Sequence, residues 1–261
     1  MSHHLVEVKD LCYNYPDGTM ALNGISFRIT HGESVALVGA NGAGKSTLLL
    51  HLNGILMASM GQVRIGDLPV TRATLAEVRR TVGMIFQDPD DQLFMPTVGE
   101  DVAFGPANLG LPREEVDERV RKALQKVGIE HLAGRPPYRL SGGEKRRAAI
   151  ATVLALMPDI LVMDEPTTGL DPLGRRQLIK LLADFHHTKI VATHDLDLVL
   201  DICPRTIVIK DGKIEADGST TEIFRNSELL SACHLEMPLA MQGCPLCARI
   251  EPAEEVKENS P

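Results

Sequence analysis

Residues 39–46 read Gly-Ala-Asn-Gly-Ala-Gly-Lys-Ser, the G-x-x-x-x-G-K-S spacing of a phosphate-binding loop. Gly39, Gly42 and Gly44 let successive backbone N–H groups turn toward a phosphate, and a helix opening at Ser46 adds the positive end of its dipole. Lys45 is expected to reach the β- and γ-phosphates of a nucleoside triphosphate, and the Ser46 hydroxyl to ligate Mg²⁺. Further along, the apolar run 160–163 ends in Asp164 and Glu165. At the C-terminal end of a strand both carboxylates face the same crevice as the phosphate loop. There Asp164 would hold Mg²⁺ through its water shell, and Glu165 would polarise the water that attacks the γ-phosphate. A third group, Leu140-Ser-Gly-Gly-Glu144, directly precedes a helix with Lys145, Arg146 and Arg147 in its first turn. The Ser141 hydroxyl with the N–H groups of Gly142 and Gly143 makes a second anion nest. One triphosphate does not need two nests in one chain, so this one is expected to close over a nucleotide bound to another subunit.

Such groups need a rigid frame, and the hydrophobic pattern supplies one. Short β-branched runs recur at 5–8, 25–29, 34–38, 63–65, 82–86, 160–163, 190–193 and 206–209. Several are almost continuously apolar, as in strands of a parallel sheet buried on both faces. Helical patterns at 46–53 and 173–185 alternate with them, which points to an α/β fold. Residues 88–140 break the alternation with little strand signal. Within that stretch Val116, Val120, Leu124 and Val127 fall on one face of an amphipathic helix over 113–127. This reads as a helical insert in the sheet domain. Ser219-Thr-Thr-Glu222 has the spacing of a capping box opening a short helix.

Composition narrows the function classes. The chain has 261 residues, 44% hydrophobic and 24% charged, with formal net charge −8, so extensive disorder is excluded and the basic footprint of a nucleic-acid binder is lacking. Aromatics are 3% with no Trp, too few for base-stacking platforms. The longest nearly apolar run, 148–157, is far short of a membrane span, and the N-terminal residues lack the pattern of a signal peptide. The expectation is a cytoplasmic protein. Residues 251–261, acidic and Pro-containing, are expected to be disordered.

The motifs together resemble those of the ATP-binding subunits of ABC transporters, over roughly residues 4–225. Identity and order agree: the phosphate loop at 39–46, Gln87 after a strand, the LSGGE signature at 140–144, the strand ending at Asp164, Glu165, the Gly169-Leu170-Asp171 loop, and His194 after the strand 190–193. The resemblance implies a P-loop ATPase core with a mostly parallel sheet, an antiparallel N-terminal β subdomain, and a helical subdomain at about 88–158. It implies ATP and Mg²⁺ as ligands. The nucleotide contacts it implies are Tyr15, Gly39, Asn41, Gly42, Gly44, Lys45, Ser46, Thr47, Ser141, Gly142, Gly143 and Asp171. Tyr15 would stack on adenine, with Tyr13 as its neighbouring competitor. Gln87 would meet Mg²⁺ and the attacking water. Ser141 and Gly143 would contact the γ-phosphate across a dimer, Asp171 would link the two sites, and His194 would hold the γ-phosphate and orient Glu165. Mg²⁺ would fall to Ser46, Gln87 and Asp164.

The stretch 86–111, from Phe86-Gln-Asp-Pro-Asp-Asp-Gln-Leu-Phe94 through Thr97-Val98 to 101–111, is similar to energy-coupling-factor ATPases, most of all their cobalt/nickel branch. Glu144 stands where the signature often has glutamine, and Asp88 where related sequences often have asparagine. Implied partners are a second ATPase subunit, identical or paralogous, and integral membrane transport subunits, with the chain peripheral at the cytoplasmic membrane face. Cobalt, nickel and a vitamin remain alternatives, because another polypeptide binds the solute. A non-transport ABC clamp acting on nucleic acid is the competing class, and the net charge opposes it. Finally, Cys233-His234 and Cys244-Pro-Leu-Cys247, in an extension spanning 226–250, could ligate a soft metal. The adjacency of the first pair makes reduced thiols in a loose tail the expectation.

Overall fold

The computed structural model describes residues 4–242. In chain order the elements are β1 (His4–Asn14), β2 (Met20–Thr30), β3 (Ser34–Val38), α1 (Lys45–Leu52), β4 (Met60–Ile65), β5 (Leu68–Pro69), α2 (Leu75–Thr81), β6 (Val82–Ile85), α3 (Val98–Asn108), α4 (Arg113–Val127), α5 (Gly142–Leu154), β7 (Ile160–Asp164), α6 (Pro172–Ala183), β8 (Thr188–Ala192), α7 (Leu196–Ile202), β9 (Arg205–Lys210), β10 (Lys213–Ser219), α8 (Thr220–Arg225) and α9 (Ser227–Ala232). They form two sheets. One, in the order β2-β1-β4-β5, is antiparallel. The other, β10-β9-β3-β8-β7-β6, is parallel from β9 to β6, with β10 antiparallel at its edge.

The continuous apolar runs have a simple cause. Along β3, Val35 and Leu37 enter a core shared with the antiparallel sheet and α1, while Ala36 and Val38 enter the core beneath the helices. In β7, Ile160 and Val162 face the first core and Leu161 and Met163 the second. Each face of the strand is covered, so neither can be polar. The helical insert is present as α3, α4 and α5. Arg113–Val127 forms a helix with the bounds read from its periodicity, and Gly128 ends it in the left-handed conformation at φ 69°. Val116, Leu124 and Val127 are buried, and Val120 is half-buried against the core.

Three expectations need correction. The edge strand β10, KIEADGS, gave no strand signal because it alternates half-buried and exposed positions and is largely polar. Helix α8 does start after Ser219, but no side chain caps it: Ser219 is the last residue of β10, paired with Arg205, and the next hydroxyl, that of Thr220, bonds the Cys203 carbonyl and Thr206. Cys233 is not in a loose tail. It lies 1% exposed at the end of α9, where burial pushes its thiol pKa up. Cys244, Cys247 and the acidic tail 251–261 lie outside the described residues. Among the described residues no group of three or more His, Cys, Asp or Glu could hold a metal ion, and no helix is long and apolar enough to cross a membrane.

Candidate nucleotide site

Strand order explains how residues far apart in sequence meet. Neighbouring parallel strands β3, β8, β7 and β6 carry, at or just beyond their C-terminal ends, the phosphate loop, His194, Asp164-Glu165 and Gln87. At roughly 4.8 Å between strands, the four positions line one sheet edge about 15 Å long.

The phosphate loop requires its glycines. Gly39 has φ 155°, and a Cβ there would run into the Ile209 carbonyl oxygen; Gly44, at φ 108°, would place a Cβ 2.6 Å from the Ala21 carbonyl oxygen. Lys45 is buried, and its ammonium donates to the carbonyls of Gly39 at 2.7 Å and Ala40 at 3.0 Å. Burial lowers its pKa, while Glu165 and Asp164 oppose that shift. Asn41, Gly42 and Ser46 are exposed on the loop, and Thr47 is buried beneath it. The Tyr15 hydroxyl lies 2.9 Å from the Thr47 hydroxyl. Tyr13 packs edge-on against His51, with ring centroids 4.7 Å apart, and edge-on against Tyr15 itself, with centroids 5.2 Å apart, so the two tyrosines share one aromatic cluster.

Asp164 closes β7, nine-tenths buried, and its Oδ1 has no hydrogen-bond partner. Burial raises its pKa, and the Ser46 side chain beside it pulls the other way. A hydroxyl and an orphaned carboxylate oxygen form a hard oxygen donor set, which fits Mg²⁺ bound together with phosphate oxygens.

Glu165 sits in the left-handed region at φ 46°, a conformation that costs a non-glycine residue on the order of 1–3 kcal/mol. Surrounding bonds hold it there. Its N–H donates to the Ala192 carbonyl at 2.8 Å. Its carboxylate accepts from the Thr193 hydroxyl at 2.9 Å and the His194 N–H at 3.1 Å. The His194 Nδ1 is 2.9 Å from Glu165 Oε2, with the imidazole 70% exposed and the Glu165 side chain only 8%. The carboxylate is thus fixed in direction, and the histidine ring faces the open crevice.

Ser141, Gly142 and Gly143 begin α5. A capping box forms here: Glu144 N–H donates to Ser141 Oγ, and Ser141 N–H donates to Glu144 Oε2 at 2.7 Å. Asp171 caps α6, accepting from the Gly174 N–H at 2.7 Å. Ser141, Gly142 and Gly143 belong to the helical layer through α5. Helix α5 packs on α3, α4 and β6, whereas α1 packs on β2, β4, β7 and β8.

Two residues of the site were not singled out from sequence. Thr193 read only as the end of a strand, and Arg146 only as a basic residue in a helix's first turn. Their partners, a carboxylate and a set of carbonyls, come from other strands and loops. A buried arginine has no local sequence signal.

A parallel-sheet crevice with a phosphate loop, an acidic strand end and a held carboxylate defines a P-loop ATPase. Residues 22–168 match the ABC transporter family. The Geobacter sulfurreducens protein GSU1281, whose name assigns it provisionally to the ATP-binding proteins of ABC transporters, is 70% identical, covering 95% of this chain and all of that protein. The energy-coupling factor transporter ATP-binding protein EcfA of Methanocaldococcus jannaschii is 51% identical, covering 90% of this chain and 86% of the relative. Among solved structures, CbiO1 of Clostridium perfringens, part of the ABC transporter complex CbiONQ, superimposes with TM-score 0.77 at 43% identity, covering 88% of this chain and 94% of that one. The ATP-binding cassette MJ0796, solved as a dimer bound to ADP and phosphate, gives TM-score 0.76 at 29% identity over 82% of this chain and 98% of that one. The chain belongs to the ATP-binding proteins of ABC transporters, and it is an ATPase coupled to transport.

Proposed function

We propose that this chain is the ATPase of an energy-coupling-factor importer that drives uptake of a divalent transition metal, cobalt or nickel, through integral membrane partners at the cytoplasmic face. The similarity to EcfA and to CbiO1 supports the importer class, and the sequence of 86–111 supports the metal branch. The single observation carrying the membrane partner is the surface of that stretch. Phe94 and Phe104, 63% and 42% exposed, stack edge-to-face with centroids 4.9 Å apart. An exposed aromatic pair on a helical insert is a contact surface awaiting a partner.

Two such chains, identical or paralogous, sandwich two ATP molecules, each between one chain's phosphate loop and the other's Ser141–Gly143 nest. Tyr15 stacks on the adenine, and the Asn41, Gly42 and Gly44 backbone wraps the phosphates. On binding, the Lys45 ammonium exchanges its loop carbonyls for phosphate oxygens. Ser46, Asp164 and Gln87 would hold Mg²⁺, which when bound would supply positive charge against the triphosphate. Glu165, oriented by Thr193 and His194, accepts hydrogen bonding from the attacking water, and the exposed His194 ring faces the γ-phosphate. Asp171 stands at the junction between the two sites.

Uptake of radiolabelled cobalt and nickel tests this reading, in cells expressing the whole transport locus with the wild-type chain or with Glu165→Gln. Collapse of uptake of either metal in the variant is the expected result and names the solute. Unchanged uptake of both, with ATPase activity lost, defeats the metal reading and leaves importers of other solutes such as a vitamin.

A further inference from the structure

Arg146, on the signature helix α5, is 2% exposed and among the largest fully buried side chains of the molecule. The partners the structure gives its guanidinium are main-chain carbonyls rather than carboxylates. One terminal nitrogen donates to the Phe86 oxygen at 2.7 Å, and the other to the Gln87 oxygen at 2.5 Å and the Thr168 oxygen at 3.4 Å. Its Nε has no partner. A buried cation is costly to keep, and removing it from among oriented carbonyls leaves them unsatisfied. Its charge is answered at longer range by Asp88, Asp164 and Glu165.

The carbonyls belong to two functional segments. Phe86 and Gln87 lead out of β6 into the loop that carries the Gln87 side chain. Thr168 ends the turn that begins at Glu165, since its N–H donates back to the Glu165 carbonyl at 3.2 Å. Other bonds tie the same loop to α5: Gln92 Nε2 donates to the Ala149 carbonyl at 2.8 Å, and Lys145 pairs with Asp90 at 2.6 Å. Among the described residues, Arg146 is the side chain whose hydrogen bonds reach both the Gln87 backbone and the turn after Glu165.

We propose that Arg146 is a positioning residue for ATP hydrolysis: its buried guanidinium fastens the Gln87 backbone and the turn following Glu165 to the helix that begins at Ser141. Gln87, Glu165 and the anion nest are then set in register by one side chain. A rotation of the helical layer driven from the Phe94–Phe104 surface therefore moves Gln87 together with Ser141. The inference rests on the reading that Gln87 works in the hydrolytic site.

Steady-state ATPase kinetics of the purified full chain test this, on Arg146→Met, Arg146→Lys, Gln87→Ala and the Arg146→Met/Gln87→Ala double variant, with melting temperature alongside. A displaced catalytic group costs rate rather than substrate affinity, so Arg146→Met is expected to lose about 100-fold in kcat while KM for ATP stays within about threefold. Because Arg146 acts through Gln87, the double variant should be no slower than about threefold below the slower single variant. Arg146→Lys keeps the buried charge but not the fork, and should recover only part of kcat. A wild-type kcat in folded Arg146→Met, or single losses that multiply in the double variant, overturns the proposal. Should Arg146→Met fail to fold, Arg146→Lys decides alone: it is expected to lose several-fold in kcat at constant KM, and wild-type kcat in it is fatal. Glu165→Gln is the separate control. Wild-type turnover in that variant would defeat the hydrolytic-site reading itself, whatever the Arg146 variants show.

Discussion

Glu165 occupies a backbone conformation that non-glycine residues rarely adopt, and the bonds its carboxylate accepts from Thr193 and His194, with the one its N–H donates to Ala192, over-determine its position. That arrangement makes separable predictions. Glu165→Gln keeps the shape and the hydrogen bond from Thr193 but removes the base, so ATP binding should persist while phosphate release falls by at least about 100-fold. Size-exclusion chromatography with ATP should then show an accumulated dimer, and a fully active monomer would contradict the sandwich. Thr193→Val removes one hydrogen bond to a carboxylate that stays in place. Its expected effect is about tenfold on kcat, with KM for ATP little changed. Lys45→Ala should act on binding instead, because the ammonium meets phosphate already in the ground state; equilibrium binding of a fluorescent ATP analogue separates it from the other two. The placement of Glu165, Lys45 and Asp164 at one sheet edge was legible from residue type and motif spacing. The contacts of Thr193 and Arg146 were not, because they exist only once β8 lies beside β7 and α5 lies against the loop after β6.

At the scale of elements, the legible parts were those whose periodicity is imposed by burial. β3 and β7 are covered on both faces and read as apolar runs, and α4 showed its buried stripe. β10 lies at an edge with a polar face, and the capping-box spacing at 219–222 forms no cap because Ser219 is the last residue of the β10 ladder, paired with Arg205. The same reciprocal cap forms at 141–144, where Glu144 is free to turn back on Ser141. The insert's loop is held by a comparable device. Asp101, 3% exposed in the first turn of α3, accepts from the Phe94 and Met95 N–H groups, both at 2.9 Å, through one oxygen, while its Oδ2 has no partner. Burial raises its pKa above the usual 3.8 despite those two bonds. A carboxyl whose folded pKa is raised holds its proton more tightly in the folded chain, so its contribution to stability is full below pH 3.8 and is lost as pH rises through the folded value. Asp101→Asn can keep both backbone bonds without the charge. It should match or exceed the wild-type melting temperature at pH 7, and lose that advantage at acid pH. Asp101→Ala leaves two half-buried N–H groups without their acceptor and should cost about 1–3 kcal/mol. Chemical denaturation at both pH values reads both variants, and a destabilised Asp101→Asn at pH 7 would show that the charge itself holds the loop.

On the scale of the whole molecule, the phosphate loop and the Ser141 nest belong to different layers. The first is built on β3 and α1 in the sheet core, the second on α5 in the helical layer. Between the helical layer and the core runs a cavity of about 720 Å³, lined by Arg147 and Ile150 of α5, by Leu170 and Asp171, and by Leu178 of α6. If each nucleotide is completed by the nest of another copy, two defective chains must repair each other. Lys45→Ala removes the phosphate-loop cation, and Ser141→Arg blocks the nest with a bulky side chain. Each alone should be nearly inactive as a homodimer, since both of its sites carry a defect. In a mixed dimer one site collects both lesions, while the other joins an intact phosphate loop to an intact nest. Random pairing of equal amounts makes about half of the dimers mixed, each with one of two sites intact, so recovery of about a quarter of wild-type ATPase activity is expected if the sites turn over independently. No gain on mixing, with dimers of both kinds demonstrated by differential tagging, would mean either that the nest serves its own chain or that one intact site cannot fire alone. A tandem fusion carrying both lesions in one half separates the two: restored activity over the double-lesion homodimer is impossible for a two-chain site, because each of its sites then holds one defect, and expected for a site contained within a single chain.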